Sequence, residues 1–214
     1  MQDLSTSVPT ETWVTANWDE YIQIVSDPRY DKAKCYYHDG QLRIEMAPVG
    51  HDYSSNNTII GFTVNLYAIF IILLLKGLIN CSYSDGGMRE CQPDLSYYLG
   101  ENAEVIPYGT KIINLNQYPP PELAIELGGS SLNDDLERKK QLYEQLPISE
   151  YWVVHVPQAK LLAFGIVNGN SQTIRESKVL PGLKMSILEE ALRRGRSSNQ
   201  TQVGAWLMQQ FQES

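Results

Sequence analysis

The run Gln92-Pro93-Asp94-Leu95-Ser96-Tyr97-Tyr98, followed by Pro121-Glu122-Leu123-Ala124-Ile125-Glu126-Leu127, decides how this chain folds. Both stretches read as short strands, one headed and the other nearly closed by a carboxylate. Asp134-Asp135-Leu136-Glu137-Arg138-Lys139-Lys140-Gln141-Leu142-Tyr143 then reads as a helix. Its acidic residues come early and its lysines later, as the helix dipole favours. Glu150-Tyr151-Trp152-Val153-Val154 is a third apolar run. Strand, strand, helix and strand in that order predict an α/β (α+β) core, a mixed central β-sheet with flanking helices.

Upstream, the sequence predicts a short helix over 15–25, with Asn17 as N-cap and Glu20 at the capping-box position. Asp39-Gly40 between Cys35-Tyr36-Tyr37 and Leu42 to Met46 predicts a hairpin. Pro48-Val49-Gly50-His51-Asp52 reads as a turn. A long helix is expected from about Ser54 to Leu78, buried through its apolar middle, Leu66 to Leu75. A membrane span needs about 20 largely apolar residues, and Asn65 and Lys76 cut this run short, so no membrane segment is expected. Downstream, Leu161 to Val167 and Thr173 to Val179 read as strands, and 186–193 and 202–211 as helices.

The chain has 214 residues, 43% of them hydrophobic, enough for one core and one domain after a flexible lead over 1–12. Its formal net charge of −8 argues against non-specific coating of nucleic acid. A carboxylate cluster that holds a metal adds negative charge of its own, so a nuclease stays open. Cys35, Cys81 and Cys91 lack paired spacing and fit small buried residues in a reducing compartment. With no apolar leader at the N-terminus, the expected location is cytoplasmic.

Cleaving a phosphodiester requires charge neutralisation at phosphorus and a deprotonated water. Magnesium (or manganese) supplies both through hard oxygen ligands. Asp94 and Glu126, on adjacent strand-like runs, are the candidate ligands, and Lys139 is the candidate ammonium that activates water or stabilises the transition state. The same residues also suit a turn aspartate, an edge glutamate and a solvated helix lysine. The residue types alone leave that choice open.

Residues 42–154 resemble the Uma family of restriction-endonuclease-like proteins of unknown function, placed in the PD-(D/E)XK nuclease superfamily and common in cyanobacteria. The resemblance rests on Gly40 to Pro48 with His51, Gln92 to Tyr98, Pro121 to Glu126, Ser131, Asp135 with Lys139, and Glu150-Tyr151-Trp152. It implies a restriction-endonuclease-like core, Asp94 and Glu126 as metal-binding carboxylates, and Lys139 as the catalytic ammonium. The usual lysine two residues after the second acidic residue is replaced by Gly128. Glu45 and His51 resemble accessory positions. Asp135 reads equally as a helix cap, and Glu90 is placed similarly without further support. Where relatives carry an aspartate after the Tyr-Trp run this chain has His155, and Gly128-Gly129 suggests a loosened turn.

The expected function is a divalent-metal-dependent endonuclease acting on DNA. The alternative is a catalytically inactive nuclease-fold protein with a binding or regulatory role. Arg193-Arg194-Gly195-Arg196 is the basic cluster that stands out, and it reads as a solvated helix end. Restriction-type folds commonly pair, and a Tyr-rich sheet edge here suggests a homodimer.

Overall fold

The computed structural model of this protein describes residues 8–46, 50–128 and 132–212. Residues 1–7 of the lead, Pro48 and Val49 of the expected turn, Gly129 and Ser131 lie outside the described residues.

The chain opens with β1 (Trp13–Thr15) and α1 (Trp18–Val25). Asn17 caps α1, and Glu20 returns the bond to the Asn17 backbone, which completes the expected capping box. β2 (Lys34–His38) and β3 (Gln41–Glu45) form the hairpin. Its two turn residues, Asp39 and Gly40, have φ of 48° and 72°, as a type I′ turn requires. That turn fixes the register, setting Lys34 opposite Glu45 and Tyr36 opposite Arg43.

α2 (His51–Phe70) leads into β4 (Leu75–Ile79), which corrects the expectation at both ends: His51 and Asp52 open the helix instead of closing a turn, and the last turns expected before Leu78 are a strand. The helix closes on a Schellman pair, Leu73 N–H to Ala68 C=O at 2.9 Å and Ile72 N–H to Ile69 C=O at 3.2 Å. Ile72 takes the left-handed position, φ 56°, that glycine normally fills. The apolar middle is not uniformly buried either, since Ile69, Phe70, Ile72 and Leu74 face outward.

β5 (Ser82–Ser84), β6 (Glu90–Cys91), β7 (Leu95–Leu99), β8 (Ile112–Asn114) and β9 (Leu123–Gly128) follow. The Asp-rich segment is broken into α3 (Leu132–Leu136) and α4 (Arg138–Gln145). β10 (Glu150–His155), β11 (Lys160–Val167), β12 (Asn170–Ile174), α5 (Met185–Gly195) and α6 (Gln200–Gln212) complete the chain.

The strands form two six-stranded sheets, ordered β1-β3-β2-β6-β5-β8 and β12-β11-β10-β9-β7-β4. The second is the mixed central sheet, parallel between β9 and β10 and antiparallel elsewhere. Alternation along its strands divides the core. Leu95, Tyr97, Leu123, Ile125, Trp152 and Val154 pack against α2, α5 and α6. Tyr98, Ala124, Tyr151 and Val153 face Leu142 and Tyr143 of α4 and Tyr36 of the first sheet. The tyrosine-bearing strands β2 and β7 are interior, so the expected Tyr-rich edge is corrected. The edges of the central sheet are β12 and β4.

Candidate active site

Where β7 meets β9, Leu95 lies opposite Ile125. One step further along the same antiparallel register, Asp94 stands opposite Glu126, on the face that carries Ala124. Asp94 is 2% exposed and Glu126 1%. The Leu127 backbone N–H donates to Asp94 Oδ2 at 2.7 Å, while Lys34 and the Tyr53 hydroxyl both hold Oδ1. Glu126 accepts from the Tyr143 hydroxyl at 2.8 Å and the Tyr36 hydroxyl at 3.1 Å.

Lys139 arrives from α4. Its ammonium lies 2.9 Å from Glu45 Oε1, 3.0 Å from Asp135 Oδ1 and 3.7 Å from Glu126 Oε2. It also sits 4.2 Å above the Tyr36 ring. Asp135 and Lys139 are four residues apart, so Asp135 comes from the short helix α3 directly under the ammonium. Glu45 is held in turn by Arg43 Nε at 2.8 Å. The structure thus gathers Asp94, Glu126, Lys139, Glu45 and Asp135 into one cluster. His51 is not brought there: its side chain is 90% exposed and bonded to Asp52. Glu90 lies on β6 beside Tyr21.

Sequence reading missed Lys34, Tyr36, Tyr53 and Tyr143. For the first two a signal existed. The Asp-Gly hairpin fixes the register by counting, so Lys34 and Tyr36 must share the face that carries Glu45. Tyr53 and Tyr143 come from helices, and only the tertiary fold aims them at Asp94 and Glu126.

The electrostatics follow from burial and from the carboxylate count. Burial raises the Glu126 carboxyl above its ordinary value; Lys139 and Lys34 oppose the shift, and Asp135 and Glu45 reinforce it. Burial alone would lower the Lys139 ammonium, but Glu126, Asp135 and Glu45 outweigh it and leave Lys139 well above the usual lysine range. Burial lowers Lys34, with Glu126 opposing and Lys139 adding to the effect. It also raises Tyr36 and Tyr143, keeping both phenols as neutral donors to Glu126.

Gly128 gains a physical explanation. A Cβ there would press into Asp135 Oδ2 and stand 3.3 Å from the Leu132 Cα. No side chain fits at this position while Asp135 occupies the space, and Asp135 instead braces the lysine of α4. Glycine at 128 is therefore explained by packing against Asp135, and the rest of the expected turn lies outside the described residues. His155 pairs with Gly128 across β9 and β10.

These groups open onto a cleft of about 850 Å³ bounded by α2 on one side and by β4 and Asn80 on the other. Among the described residues no three His, Cys, Asp or Glu side chains converge to hold a metal ion. Two opposed carboxylates at a cleft suit a magnesium ion that keeps several of its waters better than a full protein cage. Asp94 and Glu126 supply hard carboxylate oxygens beside open space, so this donor set fits a hydrated divalent cation.

No curated protein matches the chain. A crystal structure of a putative nuclease belonging to DUF820 from Anabaena variabilis ATCC 29413 shares the fold, with a TM-score of 0.56. The two are 14% identical, and the match covers 82% of this chain and 98% of that one. Residues 18–202 match the Uma2 family, described as "Putative restriction endonuclease", and the chain belongs to that family.

Proposed function

We propose that this protein is a single-domain, divalent-metal-dependent endonuclease that hydrolyses phosphodiester bonds in DNA. The observation that carries the reading is the opposed pair Asp94 and Glu126, buried side by side at the cleft with Lys139 beside Glu126. A magnesium or manganese ion held by Asp94 and Glu126 would neutralise charge at phosphorus and acidify a bound water. The chain's own groups do the rest. The Leu127 N–H and Tyr53 hydroxyl fix the Asp94 carboxylate, and Tyr36 and Tyr143 fix Glu126. Lys139 presents a permanent positive charge to the oxygen that develops negative charge at the phosphate. Glu45 and Asp135 position Lys139 and keep it charged.

A second reading has its own support. Lys34 already neutralises Asp94, and Lys139 already serves three carboxylates, so the cluster is able to persist as a closed ion network in a binding protein without turnover. Titration of manganese into wild type and the Asp94→Ala/Glu126→Ala double variant separates the two, followed by plasmid nicking. Metal binding lost in the double variant, with nicking abolished by Lys139→Ala, supports the nuclease. Absence of site-dependent metal binding supports the binding protein.

We also read the protein as a cytoplasmic homodimer. No helix among the described residues is long and apolar enough to cross a membrane, and its three cysteines are free thiols. The outward ridge of Ile69, Phe70, Ile72 and Leu74 is the surface best suited to pairing.

A further inference from the structure

Beyond the carboxylates the cleft continues along α2, and its lining there has an unusual chemistry. Ser54, Asn57, Thr58, Gly61, Phe62 and Asn65 line it. Their spacing of three and four makes them one stripe of the helix. In a chain with 25 acidic residues, no residue from Tyr53 to Leu75 carries a charge. An exposed helix face is normally charged; this one offers amides, hydroxyls and a half-exposed aromatic ring, Phe62 at 43%.

Two glycines shape the floor. A Cβ at Gly77 would lie 2.8 Å from the Tyr97 ring, and one at Gly61 would lie 3.6 Å from the Tyr97 hydroxyl. Gly77 is the position that requires glycine for Tyr97 to lie against the strand, whereas Gly61 leaves room for ordinary contact.

We propose that this uncharged arm of the cleft binds unpaired nucleotides of a single nucleic-acid strand next to the phosphate being cleaved. The inference rests on the nuclease reading above. Three features select a single strand over a duplex. Asn57 and Asn65 present both donors and acceptors of the kind that read exposed base edges. Phe62 supplies a stacking face, which every base can use. The cations are few: the lining holds Lys32, Lys34 and Lys139 against Glu11, Glu45, Asp94 and Glu126, a net −1. Arg193 and Arg194 are engaged by Glu189 and Glu190, and Arg196 by backbone carbonyls. A duplex grip built on about 6–10 phosphate contacts has no counterpart on this surface.

The salt dependence is therefore diagnostic. Lys34 is held by Asp94, so the phosphate contact comes from Lys32, and one such contact gives a slope of about −0.7 in log K against log salt, roughly a threefold loss between 50 and 200 mM. A duplex mode would lose about a thousandfold or more over the same range.

The test is fluorescence anisotropy of the wild-type protein, in calcium, with a 12-nucleotide oligodeoxythymidine and with a duplex of equal length. Two variants accompany it. Gly61→Leu fills the cleft, and Asn65→Glu places a charge on an exposed position that costs little to fold. The expected result is at least tenfold preference for the single strand, with the shallow salt slope. Gly61→Leu and Asn65→Glu should each lose tenfold or more, with thermal unfolding confirming that both fold. Equal or tighter duplex binding, or binding indifferent to Gly61→Leu and Asn65→Glu, overturns the cleft assignment. Manganese binding that still depends on Asp94 and Glu126 would then leave the nuclease reading standing, so the two failures are distinguishable.

Discussion

Glu150 and Glu126 stand on neighbouring strands of the central sheet, both buried, and they are held in opposite ways. Glu150 opens β10 and accepts from the Trp152 indole, the Ser177 hydroxyl and the backbone N–H groups of Lys178 and Val179. All four donors are neutral, none is shared with another carboxylate, and together they fold the 177–180 turn onto the sheet. Glu126 accepts only from two phenols, shares Lys139 with Glu45 and Asp135, and borders the cleft. A buried carboxylate whose lone pairs are filled by fixed donors is structural. One that competes with other carboxylates for cations, beside open space, is arranged for a ligand.

If that contrast is right, substitution at the two glutamates should separate stability from metal binding. Glu150→Ala takes the acceptor from the buried Trp152 indole and Ser177 hydroxyl and from the part-buried N–H groups of Lys178 and Val179. Each buried unsatisfied group costs about 1–3 kcal/mol, so about 4 kcal/mol should be lost. Urea unfolding measures it, and manganese affinity should be unchanged. Lys139→Met comes next. It leaves Glu126, Asp135 and Glu45 without their shared cation, and breaking such a buried cluster costs about 3 kcal/mol. Glu126 then holds its proton to still higher pH. A carboxyl whose pKa is raised by folding stabilises below its ordinary value and loses that contribution as pH rises through the raised one. The Lys139→Met defect should therefore deepen from acid to neutral pH, as unfolding midpoints at several pH values would show.

How much of this was readable in the sequence depends on the range of the contacts involved. Asp94 heads one short strand-like run, Glu126 nearly closes another and Lys139 follows on the next helix, but it was the family resemblance that singled them out from an ordinary turn aspartate, edge glutamate and helix lysine. The first sheet was largely invisible beyond its hairpin: β5, β6 and β8 are two or three residues long, and their pairing is non-local. That sheet nevertheless delivers Lys34, Tyr36 and Glu45. The end of α2 was invisible for a different reason. Helices announce their stop with Gly, Asn or Pro, whereas Ile71 to Leu75 continues the apolar run without a signal. Only the tertiary pairing of β4 with β7 decides where the helix gives way.

Glu126→Gln sharpens the glutamate comparison from the other side. Because burial raises the Glu126 pKa, folding disfavours its ionised form relative to water. A neutral isostere should then stabilise the protein at neutral pH. The gain should vanish at acid pH, where wild-type Glu126 is protonated as well. The same variant should lose manganese binding in calorimetry. A stable fold without its metal is the signature expected of a ligand position, and Glu150→Gln should show the reverse. Loss of stability without loss of metal binding at Glu126 would erase the distinction between the two carboxylates.

The smallest expected effect tests whether α2 divides its labour as its chemistry suggests, polar toward the cleft and apolar at its outer end. Ile72 is a β-branched residue at positive φ and is 91% exposed, so the monomer gains little from it and carries a backbone penalty. Ile72→Gly removes that penalty at a site glycine favours, and the monomer should gain about 1 kcal/mol. If the ridge of Ile69, Phe70, Ile72 and Leu74 is a dimer surface, the same change should weaken self-association in sedimentation velocity while oligonucleotide binding in the cleft persists. A gain in stability with self-association unchanged would mean that Ile72 is tolerated strain at a helix end. The two ends of α2 would then differ in composition without differing in role.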